Sequence, residues 1–252
     1  MNFTASVRKE ILEQVRTNRL LILGAVLLAF GLMSPLLAKY MPELFQLIPG
    51  GEAFSGMIPT PTIADAVGQY VKNVNQFGVL LALLLTMGMV ALEKERGTAA
   101  MMLVKPVSRP GFILSKFIAI SLAFLAGLIL AGAGSYYYTA ILFQAPNFAA
   151  WMGLTLLIWV ELEVYVALTL LFSTLFRSQA AAAGMGFAVI IVFSIFGAIP
   201  GLAKYLPAQL LQWGAGLVLG QAETALAALF VSLGLVVGSL LIAWIAFERQ
   251  EI

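Results

Sequence analysis

The feature that most constrains this chain is a recurring apolar run long enough to cross a bilayer. A transmembrane helix needs roughly 20 mostly apolar residues. We predict six spans, with approximate bounds 20–38, 75–92, 117–143, 151–176, 180–199 and 226–247. The second run is short, so we expect its helix to begin earlier, between Ala64 and Lys72. The sequence predicts an all-α, polytopic membrane protein with residues 1–252 as a single transmembrane domain.

The composition excludes much enzyme chemistry. The chain is 62% hydrophobic and 10% charged, and it contains no Cys and no His. Thiol nucleophiles, imidazole bases and the usual zinc ligand sets are therefore absent. The net charge of +2 is small and dispersed, which argues against a nucleic-acid surface. We expect neither a catalytic residue nor a metal or cofactor site.

The segment before the first span, residues 1–19, has the pattern of an amphipathic helix. One side carries apolar residues and the others carry most of the charges. The apolar residues are Val7, Ile11, Leu12 and Val15. We predict that this helix lies in the membrane interface, in contact with lipid, and the alternative is a solvated extension.

The distribution of Lys and Arg predicts the orientation. With six spans and the amino end inside, the cytoplasmic segments collect eleven basic residues and the outer segments keep three. Both termini are therefore expected in the cytoplasm. Of the two long outer loops, 39–75 and 200–225, the second contains an apolar stretch at 210–219. It is too short to cross, so we expect a re-entrant or interfacial segment.

The longest cytoplasmic loop runs from Glu93 to Arg109. Its charges end the second span, Gly97 turns the chain, and Thr98 is placed to cap a short helix. The apolar face of that helix would comprise Met101, Met102 and Val104. Pro106 would stop this helix, and Lys116 would open the third span. The alternative is a plain loop with charges that reach solvent.

This loop contains the string Glu93-x-Glu-x-Gly-Thr, followed by Pro-Val-Ser-Arg and by a Lys near the next span. The pattern resembles the intracellular loop of ABC-2 permeases, the type-2 exporter class of ABC transporters. The rest of the layout is similar: an amphipathic amino-terminal segment, six spans, and the strings Ser173 to Ser178 and Phe247 to Glu251. In that family the loop forms a coupling helix that docks on a separate ATPase. The resemblance assigns this role to Glu93, Glu95, Arg96, Gly97, Thr98, Met101, Met102, Lys105, Pro106 and Arg109.

The resemblance implies a transport subunit without a motor of its own. The sequence contains no Gly-x-x-x-x-Gly-Lys-Ser/Thr loop to hold nucleotide phosphates. ATP and magnesium are therefore expected on a partner, namely two copies of a cytoplasmic ATPase subunit. A second permease copy, or a related permease, would complete an exporter in the cell membrane. The sequence does not indicate the substrate.

Two carboxyl groups, Glu161 and Glu163, lie inside the fourth predicted span. A spacing of two residues turns them about 200° apart, so they cannot form a pair on one helix face. At least one is expected to face the protein interior or a cavity, and both are candidates for a translocation pathway. A structural alternative holds one between helices while the other reaches the outer headgroups beside Trp151 and Trp159. A functional alternative is a proton- or ion-coupled secondary transporter that uses these carboxyls.

Small residues in the spans predict close helix packing. The pairs are Gly127 with Ala131, Gly184 with Gly186, and Gly234 with Gly238. We expect them to pack within one subunit rather than between subunits.

Overall fold

The computed structural model describes residues 3–46, 59–97, 109–221 and 223–250, in which helices are joined by turns and short loops and no strand occurs. The α-helices in these ranges are α1 Phe3–Arg16, α2 Arg19–Gln46, α3 Ile63–Thr86, α4 Ala91–Glu95, α5 Arg109–Leu142, α6 Phe148–Leu175, α7 Gln179–Gly197, α8 Gln209–Leu219 and α9 Leu226–Glu248. A short 3-10 helix, Ala203–Tyr205, precedes α8.

Six helical segments within the described residues are long and apolar enough to cross a membrane. They are α2, α3 continued by α4, α5, α6, α7 and α9. This confirms the predicted class, an all-α protein with six potential spans. The second span begins at Ile63, one residue before the range in which we expected its start. The short helix α8 covers the apolar stretch of the second outer loop.

The third span also differs from its predicted bounds. Helix α5 begins at Arg109 rather than at residue 117, and Pro110 occupies its first turn, where a missing N–H costs nothing. Lys116 therefore does not open the span. It lies two turns inside α5 with 1% of its side chain exposed. Sequence reasoning placed this charge at a helix end because a lone buried ammonium is costly, and it missed the carboxylates that pair with it.

Helix α6 is the centre of the bundle. It packs against α3, α5, α7, α8 and α9. Within its most apolar stretch, 72% of residues are buried, against 11% in α7 and 22% in α9. Polar groups on α6 are therefore surrounded by protein, whereas α7 and α9 present most of their apolar surface outward.

Small residues allow α2 and α5 to approach closely. A Cβ at Gly31 would lie 2.5 Å from the Ala131 carbonyl oxygen, and one at Gly127 would lie 2.6 Å from the Leu23 side chain. The predicted packing role of the Gly127 and Ala131 pair is therefore confirmed. At Gly234 and Gly238 no described atom lies within 4 Å of an added Cβ, so the described residues show no close packing there and the predicted role stays a prediction.

In the second predicted pair, the two glycines differ. A Cβ at Gly186 would lie 3.2 Å from the Leu83 and Thr169 side chains, whereas a Cβ at Gly184 would meet no described atom within 4 Å. Within the described part of the chain, only Gly186 packs closely.

Helix α1 turns its polar side toward the bundle. Its buried residues are Ser6, Glu10 and Gln14, which recur every four residues and form one stripe. The apolar residues Leu12 and Val15 are 45% and 52% exposed. These two apolar side chains are thus left uncovered by the described protein, and the interfacial position of α1 stays a prediction.

Candidate functional site

A buried charge cluster joins three elements at the predicted cytoplasmic end. The ammonium of Lys116 on α5 lies 2.7 Å from Glu93 Oε1 on α4 and 3.1 Å from Glu10 Oε2 on α1. The side chains of Glu10 and Glu93 are 4% and 16% exposed. The Ser6 hydroxyl adds a hydrogen bond of 3.1 Å to Ser115 Oγ. Lys116 therefore connects α1 to the first residues of the predicted coupling loop.

Lys9 extends this cluster at its exposed side. Its ammonium lies 3.0 Å from Glu10 Oε1 and 3.4 Å from Glu13 Oε2. Burial tends to raise the pKa of Glu10, but the positive charges of Lys116 and Lys9 outweigh it and hold that pKa below its usual range. Burial likewise tends to lower the pKa of Lys9, and the negative charge of Glu10 outweighs it and raises that pKa. Both groups are therefore charged near neutral pH.

Three carboxylate oxygens in this cluster, from Glu10, Glu13 and Glu93, lie within 4.8 Å of one another. Such a group could hold a cation. The ammonium groups of Lys116 and Lys9 already sit among these oxygens and supply the compensating charge. The arrangement is an internal ion-pair network.

The second span is interrupted just before the loop. A turn separates α3 from α4, and the backbone N–H groups of Val90 and Ala91 both donate to Ser173 Oγ of α6, each at 3.0 Å. Because the helix is interrupted here, these two buried N–H groups have no acceptor within a helix. Ser173 therefore fixes the direction in which α4 carries Glu93.

Further contacts attach both ends of the loop to neighbouring helices. Lys94 donates to the Thr174 carbonyl of α6 and, at 3.3 Å, to Gln250 Oε1. At the other end, the Arg109 guanidinium donates to the carbonyls of Phe247 and Glu248, the last residues of α9. A cation there satisfies free carbonyls and complements the helix dipole. The loop thus leaves and re-enters the bundle at points fixed against α1, α6 and α9.

The structure places only part of the predicted loop site. Glu93 is half-buried in the cluster, whereas Glu95 and Arg96 are exposed. Gly97 has a φ of +67°, which agrees with the predicted turn. Arg109 caps α9. The other candidates, Thr98, Met101, Met102, Lys105 and Pro106, lie outside the described residues.

Sequence reasoning missed three members of this site, namely Glu10, Lys116 and Ser173. A usable signal existed for the first: Ser6, Glu10 and Gln14 recur every four residues on a helix whose apolar stripe lies elsewhere. A polar stripe opposite an apolar one indicates a second packing surface. Nothing in the sequence indicated that Ser173 would meet the break between α3 and α4.

A cavity of about 560 Å³ reaches the middle of α6. It lies between α3, α6, α7 and α8, and Glu161 is among its lining residues. Glu161 is fully buried, and the Tyr165 hydroxyl lies near its carboxyl. With its amide nitrogen turned toward the carboxyl, Asn75 donates to Glu161 at 3.0 and 3.3 Å. Both groups are neutral.

Glu163 lies on a different side of α6. It is 5% exposed and does not line this cavity. It sits near Ser121 of α5 and Trp159, but the Trp159 indole donates to the Ser121 carbonyl instead. No described group hydrogen-bonds either carboxylate oxygen with good geometry.

The two carboxyls therefore face different sides, as predicted, and one of them reaches a cavity. The alternative in which one extends to the headgroups beside Trp151 and Trp159 was wrong. Both carboxyls are buried because neighbouring helices cover α6 on both sides.

Six potential spans in the described residues define a multi-pass membrane protein, and a cavity reaches its central helix. The family follows from comparison with known proteins. A family model described as "ABC-2 family transporter protein" matches residues 4–252, and the chain belongs to this family. It is a membrane permease of an ABC transporter, and such permeases are transport subunits that generally work with an ATPase subunit.

One relative has been described only as a membrane protein. The chain is 34% identical over 218 residues to the "Uncharacterized transmembrane protein YxlG" of Bacillus subtilis (strain 168). The match covers 82% of this chain and 81% of the relative. The similarity thus extends over most of both proteins.

Proposed function

We propose that this chain is the permease subunit of an ATP-driven exporter in the cell membrane. Two copies of a separate cytoplasmic ATPase subunit bind and hydrolyse ATP with magnesium, and this chain pairs with a second permease copy or a related permease. Both termini face the cytoplasm, and α1 rests against lipid. The chain itself holds no ATP.

The contacts at the two ends of the loop carry this proposal. A loop that transmits the closure of an ATPase must be attached to the spans, because otherwise the loop would move without moving them. The first end is joined to α1 and α5 through Glu93 and Lys116, and the second end is joined to α9 through Arg109. Movement of the loop would therefore displace several helices together. The exposed side chains of Glu95 and Arg96 are available to a partner surface.

The test is reconstitution with a candidate ATPase subunit. We expect the two chains to copurify, and we expect the permease to change the ATPase rate in liposomes. The double variant Glu95→Ala with Arg96→Ala should lower copurification several-fold. The matched control is Lys204→Ala, an exposed cation in the predicted outer region, which should leave copurification unchanged. Equal retention of the ATPase by both variants would contradict the assigned loop.

A second candidate function is a secondary transporter driven by protons or ions. The observation in its favour is the burial of Glu161 and Glu163 without a described basic partner. Transport that survives ATP depletion and collapses with the proton gradient would support this function over the first. Transport that stops with ATP depletion and survives collapse of the gradient would support the exporter.

A further inference from the structure

The cavity beside Glu161 combines one buried acidic group with apolar walls. Its wall includes Val79, Leu83, Ile190, Phe193 and Leu206. The polar residues among its lining are Glu161, Tyr165 and Ser194, with the amide residues Asn75, Gln76, Gln209 and Gln212. No Lys or Arg is among the described lining residues.

If ionised, a carboxyl in such a place would have an uncompensated charge. Glu161 has a relative exposure of 0% and lies at the middle of a helix enclosed by protein. The polar groups near its carboxyl, from Tyr165 and Asn75, are neutral, and Asn75 donates to it. Neutral hydrogen bonds reduce the cost of burying a charge but do not cancel the charge itself. A bound cation would cancel it, and the amide oxygens around the cavity are acceptors for ammonium hydrogens.

The size of the cavity indicates what kind of cation. Pockets for small organic ligands measure roughly 300–1,000 Å³ and are mostly apolar with a few polar groups. An inorganic ion would leave the apolar walls and most of the volume unused. We propose that this cavity binds an organic ammonium ion with an apolar body, and that Glu161 pairs with the ammonium. The claim that such ions are the transported substrates rests on the proposed transport function. The claim that the cavity binds them does not depend on that function.

The test measures binding to the full-length permease alone, without an ATPase. The probe is dansylcadaverine, which joins a fluorescent apolar group to a primary ammonium, and its uncharged partner is N-acetyl-dansylcadaverine. Fluorescence anisotropy in detergent micelles at neutral pH gives both affinities. We expect the charged probe to bind at least tenfold more tightly than the acetylated probe, a difference of about 1.4 kcal/mol.

Glu161→Gln keeps the shape of the side chain and removes its charge. This variant should lose the preference for the charged probe, while the acetylated probe binds as before. Glu163→Gln is the matched control, because it removes a buried carboxyl of α6 that does not line the cavity. It should keep the preference. Thermal unfolding of each variant shows whether it is folded, and Tyr165→Phe serves as a second lining variant with an expected weaker loss.

Three outcomes overturn the inference. They are equal binding of the two probes, an unchanged preference in Glu161→Gln, and displacement of the charged probe by sodium chloride but not by choline chloride at equal ionic strength. The last would identify an inorganic cation site. None of them bears on the ATPase measurement, so failure here is distinguishable from failure of the exporter proposal.

Discussion

Lys116 is tolerated inside a membrane-protein bundle because two carboxylates lie within 3.1 Å of its ammonium. The ring of Phe112 adds a cation–π contact at 4.9 Å and itself stacks on Phe247 of α9. A buried pair contributes little net stability compared with apolar packing, but removing one partner leaves a charge without compensation. Loss of the Lys116 ammonium would therefore leave buried carboxylates without their counter-charge.

Lys116→Met should therefore destabilise the protein strongly. The variant leaves Glu10 buried without its main partner, and we expect a loss of about 3–5 kcal/mol. Thermal unfolding in detergent, followed by tryptophan fluorescence, measures the change. Lys9→Ala is the control, since Lys9 is 36% exposed and should cost less than about 1 kcal/mol. Adding Glu10→Leu to Lys116→Met should recover part of the loss, and equal stability of Lys116→Met and the natural protein would refute the cluster.

Single residues were the least predictable level of this structure. The sequence placed Glu161 and Glu163 on different sides of one helix, because the helical period alone decides that relation. It could not pair Lys116 with Glu10, which lies 106 positions away, because that contact depends on how α1 folds back along α5. The helical period relates residues within one helix and does not indicate which other helix packs against it.

Helix α1 is attached to the bundle through its charges and hydroxyls, so its docking depends on protonation. The pKa of Glu10 lies below its ordinary value. Its contribution is therefore complete above the ordinary value and is lost as the pH falls through the lowered one. For Lys9 the raised pKa works in the other direction, and its contribution is lost only as the pH rises through that value.

We accordingly expect α1 to remain docked from neutral pH down to the ordinary pKa of a glutamate, and to loosen below it. Hydrogen exchange of the amides of residues 3–16, corrected for intrinsic rates, measures this loosening. Glu10→Gln should abolish the acid transition and show weaker protection already at neutral pH. Unchanged protection in strong acid would mean that α1 is held by other contacts.

The approach of α2 to α5 depends on Gly31. A Cβ there would come within 2.5 Å of a backbone oxygen, which cannot move aside as a side chain can. We expect Gly31→Ala to separate the helices and to cost about 1–3 kcal/mol, measured by thermal unfolding. Gly24→Ala on the same helix meets no described atom within 4 Å and should be neutral or slightly stabilising. Similar losses in the two variants would rule out the steric explanation.

Elements were predicted well where hydrophobicity defines them and poorly where polar groups do. The six apolar runs each became a helix, because a span is specified by local composition. The start of α5 was misplaced by eight residues, because Arg109 and Lys116 are charges that the fold satisfies internally. Gly234 and Gly238 formed a motif that suits packing, but the motif does not specify a partner.

The whole molecule has a predicted orientation that its chemistry makes easy to test. The chain has no native cysteine, so a single introduced thiol is its only labelling site. On intact cells, a membrane-impermeant maleimide should label Lys204→Cys and spare Arg96→Cys, two exposed positions at opposite predicted faces. Permeabilised cells should label both variants, which controls for access. Labelling of Arg96→Cys on intact cells would reverse the orientation.

At this largest scale, the sequence predicted the class of protein, and the family match agrees with it. It could not predict the cavity beside Glu161. That space arises where α3, α7 and α8 fail to close over α6, which is a property of their mutual arrangement. Hydropathy indicates whether a helix lies in lipid or in water, but it does not indicate where neighbouring helices leave a gap.

The burial of the ion pairs that hold α1 also determines how the helix responds to ionic strength. Dissolved ions screen exposed charges strongly and buried pairs much less. The pair of Lys9 with Glu13, 36% and 39% exposed, should weaken in concentrated salt, whereas Lys116, at 1%, is shielded from it. Washing membranes with molar salt, a treatment that strips loosely adsorbed segments, should leave α1 in place, whereas acid should release it.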